Sequence, residues 1–278
     1  MEALKPILRN AIAEVPALGS LFKRNILKDY LQVVVLDFIY SDPRYSRLIF
    51  YGGSCLAHCF QLPRLSEDLD FIDETKKIIV AALAHDLEDH FKRRTDLEVK
   101  ATTQKFRIYL KFPILYELDL AVKGEKEMLF LKVEIFSDFN FCRRYTTDIR
   151  PLFKFNRSVL VRVLDLPTLM ATKIRAILYR KWEKTDKRGR TTVTVKGRDY
   201  FDLMWYLQQG IRPNLTCIEG INEIEALKKK LLRIVSRADS RNLQLDLEAL
   251  IADDRLARNL GRNMKTILER EIKEKLIA

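Results

Sequence analysis

The amino-acid sequence predicts an α+β protein, a mixed sheet with flanking helices followed by a helical C-terminal domain. Between residues 47 and 164, segments rich in β-branched and aromatic residues show the partial alternation of strands. From Leu166-Pro167 onward, apolar residues recur instead at spacings of three and four, and proline suits the first turn of a helix. The expected division is therefore a sheet domain with leading helices over 1–165 and a helical domain over 166–278. A chain of 278 residues is long enough for two lobes that each bury a core.

In chain order, residues 3 to 40 read as two helices broken around Pro16 and Gly19. RLIFYGG, residues 47 to 53, is a short strand entering a Gly-Gly turn; SCLAHCFQL returns to helical spacing, and DLDFID from residue 68 is again a strand. Residues 76 to 93 look helical. LEVKATTQ, KFRIYLKF, ELDLAV and FLKVEIFS build the rest of the sheet, and SVLVRVL over 158–164 closes it. LPTLMATKIRAILYR and GRDYFDLMWYLQQG open the helical part, and further charged amphipathic helices run from about residue 222. Between them, Arg180 to Arg198 holds eight lysines or arginines against two acids and reads as a mobile basic loop. The sequence shows no internal repeat.

The formal charge of +12 and a pI near 9.5 make nucleotides, nucleic acids and anionic membranes the possible partners. Membranes are disfavoured because no run of about 18 apolar residues exists. The start, MEALKPILRNAIAEVP, carries Glu2 and Glu14 where a secretory signal needs a clean apolar core, so a cytoplasmic location is expected. Cysteines 55, 59, 142 and 217 lack paired spacing and read as reduced core residues. His58 beside Cys55 and Cys59 raises the thought of zinc, but four ligands at usual spacing are missing.

The segment FYGGSCLAHCFQLPRLSEDLDFID carries the chemistry. Asp68 and Asp70 stand two apart on a strand, so both point to one face. Adjacent carboxylates repel unless a cation lies between them, which makes the pair a natural ligand set for Mg²⁺. Gly52 and Gly53 remove side chains where a backbone must approach something closely, and Ser54 opens a helix whose N-terminal amides favour phosphate. A third acid is wanted to bridge two ions and activate a hydroxyl. In LFLKVEIF, Glu134 shares the face opposite Leu131, Val133 and Ile135, and Asp119 in ELDLAV is its competitor. Lys173 interrupts the apolar stripe of Leu169, Met170, Ile174 and Ile177; it either snorkels to solvent or reaches a buried anion. Asp199 and Asp202 follow at i and i+3 on one helix face.

Strand, GGS, helix and a second strand with DLD reproduce the nucleotide-binding half of a DNA polymerase β type palm. GGSCLAHCFQLPRLSEDLDF further resembles the opening motif of AbiEii-type nucleotidyltransferase toxins, and the Lys173 helix followed by KGRDYFDL is similar to their second motif. The likeness spans about residues 47 to 207, with a longer basic stretch between Lys173 and Asp199 than such a motif leads one to expect. It implies a Mg²⁺- or Mn²⁺-dependent enzyme that moves a nucleoside monophosphate from an NTP to an acceptor hydroxyl. An RNA acceptor, the end of a tRNA, and a cognate antitoxin are implied with it; the alternatives are a small-molecule or protein acceptor, or a nucleotide- or RNA-binding module whose catalytic site has decayed. By the same resemblance, Asp68, Asp70 and Glu134 hold metal, Lys173 contacts phosphate, and Asp199 acts as acid or base. Gly52, Gly53, Ser54, Arg64, Lys196, Arg198 and Asp202 complete the expected nucleotide site.

Overall fold

A computed structural model describes residues 1–122, 125–142, 144–180, 184–185, 191–193, 196–238 and 240–277. The chain forms two compact units, Met1–Phe139 with Thr147–Val163, and Asn140–Thr146 with Leu164–Ala278.

The first unit is built on a seven-stranded sheet. Its strands are β1 (Ile49–Tyr51), β2 (Asp68–Ile72), β3 (Lys100–Gln104), β4 (Arg107–Pro113), β5 (Met128–Phe136), β6 (Thr147–Lys154) and β7 (Arg157–Leu164), in the order β3-β4-β5-β2-β1-β7-β6. β2 runs parallel to β5 and β1 parallel to β7, while β1 with β2, β3 with β4 and β4 with β5 are antiparallel, so the sheet is mixed. The helices are α1 (Leu4–Ala13), α2 (Ser20–Ser41), α3 (Gly52–Cys59) and α4 (Val80–Arg94). Val33, Val34, Val35 and Leu36 of α2 are all fully buried, as befits a helix apolar all round rather than along one stripe. α2 packs on β5 and α4, and α3 packs on β1 and β2. Phe50, Phe71, Phe91 and Phe112 fill the core between them.

One expectation fails here, and one strand was not anticipated. ELDLAV is no strand: residues 116–119 form turns, and Asp119 takes a left-handed φ of 54°. The apolar Leu118 and Leu120 that mimic a strand are buried from within this turn. β6 is a strand that the pattern did not suggest, since TDIRPLFK is mostly exposed and carries a proline. It lies at the sheet's edge, where a missing N–H is tolerated.

The second unit contains α5 (Leu166–Tyr179), α6 (Gly197–Gln208), a 3-10 turn at Leu215–Cys217, α7 (Ile224–Val235), α8 (Ser240–Glu248) and α9 (Asp254–Lys275). Asp165 caps α5 by accepting a hydrogen bond from the Thr168 N–H at 2.8 Å. The basic stretch lies mostly outside the described residues; within it, β8 (Lys184–Thr185) pairs antiparallel with β9 (Thr191–Val193). Cys142 and Cys217 are joined by a disulfide, which corrects the expectation that all four cysteines are reduced. They are 75 residues apart and meet because Asn140–Thr146 folds with the second unit. Cys55 and Cys59 are free thiols. Among the described residues no helix is long and apolar enough to cross a membrane.

Candidate functional site

Parallel pairing of β2 with β5 sets Asp68 opposite Lys132 and Asp70 opposite Glu134. Antiparallel pairing of β4 with β5 brings Arg107 opposite Glu134. Because strand side chains alternate, the intervening Leu69 and Val133 are wholly buried while the charged set shares the other face. The Lys132 ammonium lies 3.0 Å from Asp68 Oδ2 and 3.3 Å from Glu134 Oε1. Arg107 Nε donates to Glu134 Oε1 at 2.5 Å.

The acids face the glycine turn. Gly52 has a φ of +82°, and a Cβ built there would sit 2.5 Å from Asp70 Oδ2, so both backbone and contact require glycine. A Cβ on Gly53 would lie 2.8 Å from Arg64 Nη2 and 3.0 Å from Ser66 Oγ. The close approach that these glycines permit is thus, first, to the protein's own side chains. α3 begins at Gly52, two residues before the expected start at Ser54. The Ser54 hydroxyl donates to the Asp68 carbonyl, tying helix to strand. Arg64 is buried, and its Nη1 donates to the Leu65 carbonyl at 2.7 Å.

Charge in this cluster is finely divided. Burial, then the neighbouring Asp68 and Glu134 carboxylates, push Asp70 up to about 7. Burial acts on Glu134 in the same sense, but its hydrogen bond to Arg107 and the nearby Lys132 outweigh it and hold the carboxyl below its usual range. Of the two facing acids, Asp70 is therefore the one drawn toward the protonated form and Glu134 the one held as the anion. Lys132 keeps its charge more firmly than usual, because Asp68 and Glu134 outweigh its own desolvation.

Among the described residues no three His, Cys, Asp or Glu side chains form a ready-made metal cage. The donor set nevertheless fits a hard divalent cation: the carboxylate oxygens of Asp68, Asp70 and Glu134 share one strand face, where their mutual repulsion is met only in part by the Lys132 ammonium. A zinc site at Cys55 and Cys59 has no such support. His58 Nε2 lies 2.9 Å from Gln32 Oε1 and 3.7 Å from Asp29, and burial lowers the ring to about 4. Gln32 in turn donates to the Ser66 carbonyl at 2.9 Å, and Asp29 is paired with Lys154 at 2.7 Å.

Asp119 is exposed in its turn, whereas Glu134 faces Asp70 across paired strands; of these two acids, Glu134 is the one the register sets beside the aspartates. Lys132 and Arg107 are the charged members that sequence reasoning left unassigned. The alternation of LFLKVEIF already placed Lys132 on the Glu134 face, but Arg107 needed the β4–β5 register.

The second unit holds a separate charge cluster. Lys173 Nζ on α5 lies 2.7 Å from Asp199 Oδ1 and 2.8 Å from Asp202 Oδ2 on α6, both acids being buried. Arg180 Nη1 stands 3.4 Å from Asp199. Burial works to raise Asp199, but Lys173 and Arg180 outweigh it and hold the carboxyl below its usual range. Lys173 therefore reaches buried anions, and those anions belong to the protein. Lys196, the residue before α6, is lowered by burial and then by Arg198 and Arg180. The Arg198 backbone N–H donates to Asp246 at 3.0 Å.

Residues 37–274 match the family model described as nucleotidyl transferase AbiEii toxin, type IV TA system. No curated protein matches the chain. Among solved structures the chain is similar to JHP933 from Helicobacter pylori, with a TM-score of 0.46 and 18% identity over 90% of this chain and 94% of that one. A provisionally assigned nucleotidyltransferase from H. pylori aligns with a TM-score of 0.43 and 18% identity over 89% of this chain and 95% of that one. Matched by the family model across both units, the chain belongs to the AbiEii nucleotidyl transferase toxin family of type IV toxin–antitoxin systems.

Proposed function

We propose that this enzyme transfers a nucleoside monophosphate from an NTP to a hydroxyl of an RNA acceptor, the end of a tRNA, with pyrophosphate leaving. In this reading it acts in the cytoplasm as the toxin of its pair, with a cognate antitoxin as partner. The observation that carries the reading is the convergence of Asp68, Asp70 and Glu134 on one strand face, with Asp70 pressed against Gly52.

Asp68 and Asp70, with Glu134, would hold Mg²⁺ or Mn²⁺. A bound divalent cation polarises phosphoryl oxygens and makes a coordinated hydroxyl more acidic. Asp70 would be a ligand in its ionised form, and the Lys132 ammonium, which lies beside Asp68 and Glu134, would supply positive charge for the triphosphate. The first amides of α3, at Gly52, Gly53 and Ser54, favour a phosphate. Ser54 contributes its backbone N–H, since its hydroxyl is committed to Asp68. Arg64 positions the Gly53 turn and supplies positive charge beside it.

Lys173 serves as a phosphate contact, with Asp199 and Asp202 neutralising it while no anion is bound. Lys196 and Arg198 hold the triphosphate or the acceptor backbone. Glu134 and Asp199 both stay anionic at neutral pH, the state that a proton acceptor for the attacking hydroxyl needs.

The test is to incubate the purified chain with Mg²⁺, each labelled NTP in turn and total RNA, beside Asp70→Ala. Label on RNA of tRNA size with the wild type alone is the expected result. Label on nothing, or equal label with both proteins, overturns the enzyme reading. Label on a protein or a small molecule keeps the transferase and overturns the RNA acceptor.

A further inference from the structure

We propose that the second unit carries an RNA-binding groove between α5 and α7, in which Lys230, Arg233 and Arg237 take successive phosphates and Tyr179 stacks a base. This rests on the RNA-acceptor reading and adds to it a binding surface outside both charge clusters described above.

The charge of the chain is unevenly shared. The second unit has 26 lysines and arginines against 16 acids, whereas the first has 24 against 22. Nearly all of the excess that attracts a polyanion therefore belongs to the helical unit. Within it, α7 is sharply two-faced. Leu227, Leu231 and Val235 are fully buried, Lys230 and Arg233 are exposed on another side of the helix, and Arg237 is exposed in the turn just past its end. A spacing of three residues puts Lys230 and Arg233 in one stripe, about 4.5 Å apart along the helix axis, and Arg237 extends it from the turn past Val235. That stripe offers one cation after another to an extended phosphate backbone.

The cations also line a cavity of about 350 Å³, together with Leu178, Tyr179 and Ile234. No acid contributes to its wall. Among the described residues none of the three has an ion-pair partner, although nearby cations do: Lys228 pairs with Glu225 at 3.8 Å and Arg175 with Glu219 at 2.5 Å. Three uncompensated charges so close together repel one another, and an anion in the cavity relieves that repulsion. Tyr179 supplies what a purely ionic surface lacks. The residue is 43% exposed, and its hydroxyl is anchored on the Glu219 carbonyl, so an aromatic side chain is held at the cavity wall. Cations interleaved with an exposed aromatic ring suit a single-stranded stretch, whose unpaired bases are free to stack.

The experiment measures binding of a fluorescent single-stranded RNA oligonucleotide to the full chain by anisotropy over a series of NaCl concentrations. The triple variant Lys230→Ala, Arg233→Ala, Arg237→Ala should bind about tenfold more weakly or worse, with the slope of log K against log salt reduced by about 2. Arg233→Lys with Arg237→Lys should keep the slope, Tyr179→Phe should keep affinity, and Tyr179→Ala should weaken binding several-fold. NTP affinity and the melting temperature of the triple variant should match the wild type, because the three side chains are exposed. A triple variant that binds RNA with unchanged affinity and slope, beside a wild type that binds it salt-dependently, overturns the groove and leaves the RNA reading intact. A wild type that binds no RNA and labels a protein or small molecule overturns the RNA reading and the groove together. Loss of binding to an acidic protein with RNA binding unchanged overturns the groove as an RNA site.

Discussion

At Asp70 the fold works against its own charge. Burial and two neighbouring carboxylates hold the group near the point of protonation, a stability cost that the proposed cation would remove. Asp70→Asn keeps the shape and removes that cost. In chelator at pH 8 its melting temperature should rise by a few degrees, corresponding to about 1–2 kcal/mol, while nucleotide transfer falls at least about 100-fold. A lower melting temperature would contradict the electrostatic account. Lys173 presents the opposite case, since its ammonium neutralises two buried aspartates. Lys173→Met should cost about 3–5 kcal/mol in urea unfolding, because it leaves Asp199 and Asp202 buried with less compensation. Adding Asp199→Asn and Asp202→Asn should restore much of that stability but no activity; restored transfer would rule out a phosphate contact by Lys173.

Elements set the geometry that these residues use. Register between β2 and β5 is fixed by the alternation of buried Leu69, Val133 and Ile135 with charged neighbours, and a slip of one residue would turn the acids of the slipped strand, Asp68 and Asp70 or Glu134, into the core. In the second unit, Asp165 links two segments. It caps α5 through the Thr168 N–H and accepts a hydrogen bond from the Thr146 hydroxyl, anchoring Thr146 to the helix start. Asp165→Ala should therefore destabilise the protein by about 1–2 kcal/mol in thermal or urea unfolding. An unchanged midpoint would mean that the cap is replaced by water. The edge strand β6 and the turn at Asp119 show where pattern fails: both carry mixed polarity, and only neighbouring elements decide which half is covered.

Over the whole molecule, one buried and one half-buried group give stability opposite pH dependences. His58 titrates near 4 in the fold against an ordinary 6.5, so the unfolded chain takes the proton first as pH falls. Stability present at pH 7 is therefore lost between about 6.5 and 4, by about 3 kcal/mol. Asp70 acts in the other direction: its folded value near 7 exceeds the ordinary 3.8, so stability present in acid is lost as pH rises toward 7. Without metal the two slopes offset one another in the wild type. In Asp70→Asn the His58 slope should stand alone, and urea unfolding in chelator should show stability rising from pH 4.5 to 6.5 more steeply than in the wild type. Parallel profiles for the two proteins would count against this balance.

The sequence by itself determined the α+β class, the order of most elements, the Asp68–Asp70 pair behind a glycine turn, and the facing of Glu134. These follow from local rules: periodicities of 2 and 3.6, turn residues, and charges placed along one segment. Only the tertiary structure decided that Arg107 and Lys132 balance the acids, that Lys173 is held by Asp199 and Asp202, and that Cys142 meets Cys217. Those pairings join positions far apart in the chain or on neighbouring strands, and their energies depend on burial and distance, which no local pattern encodes.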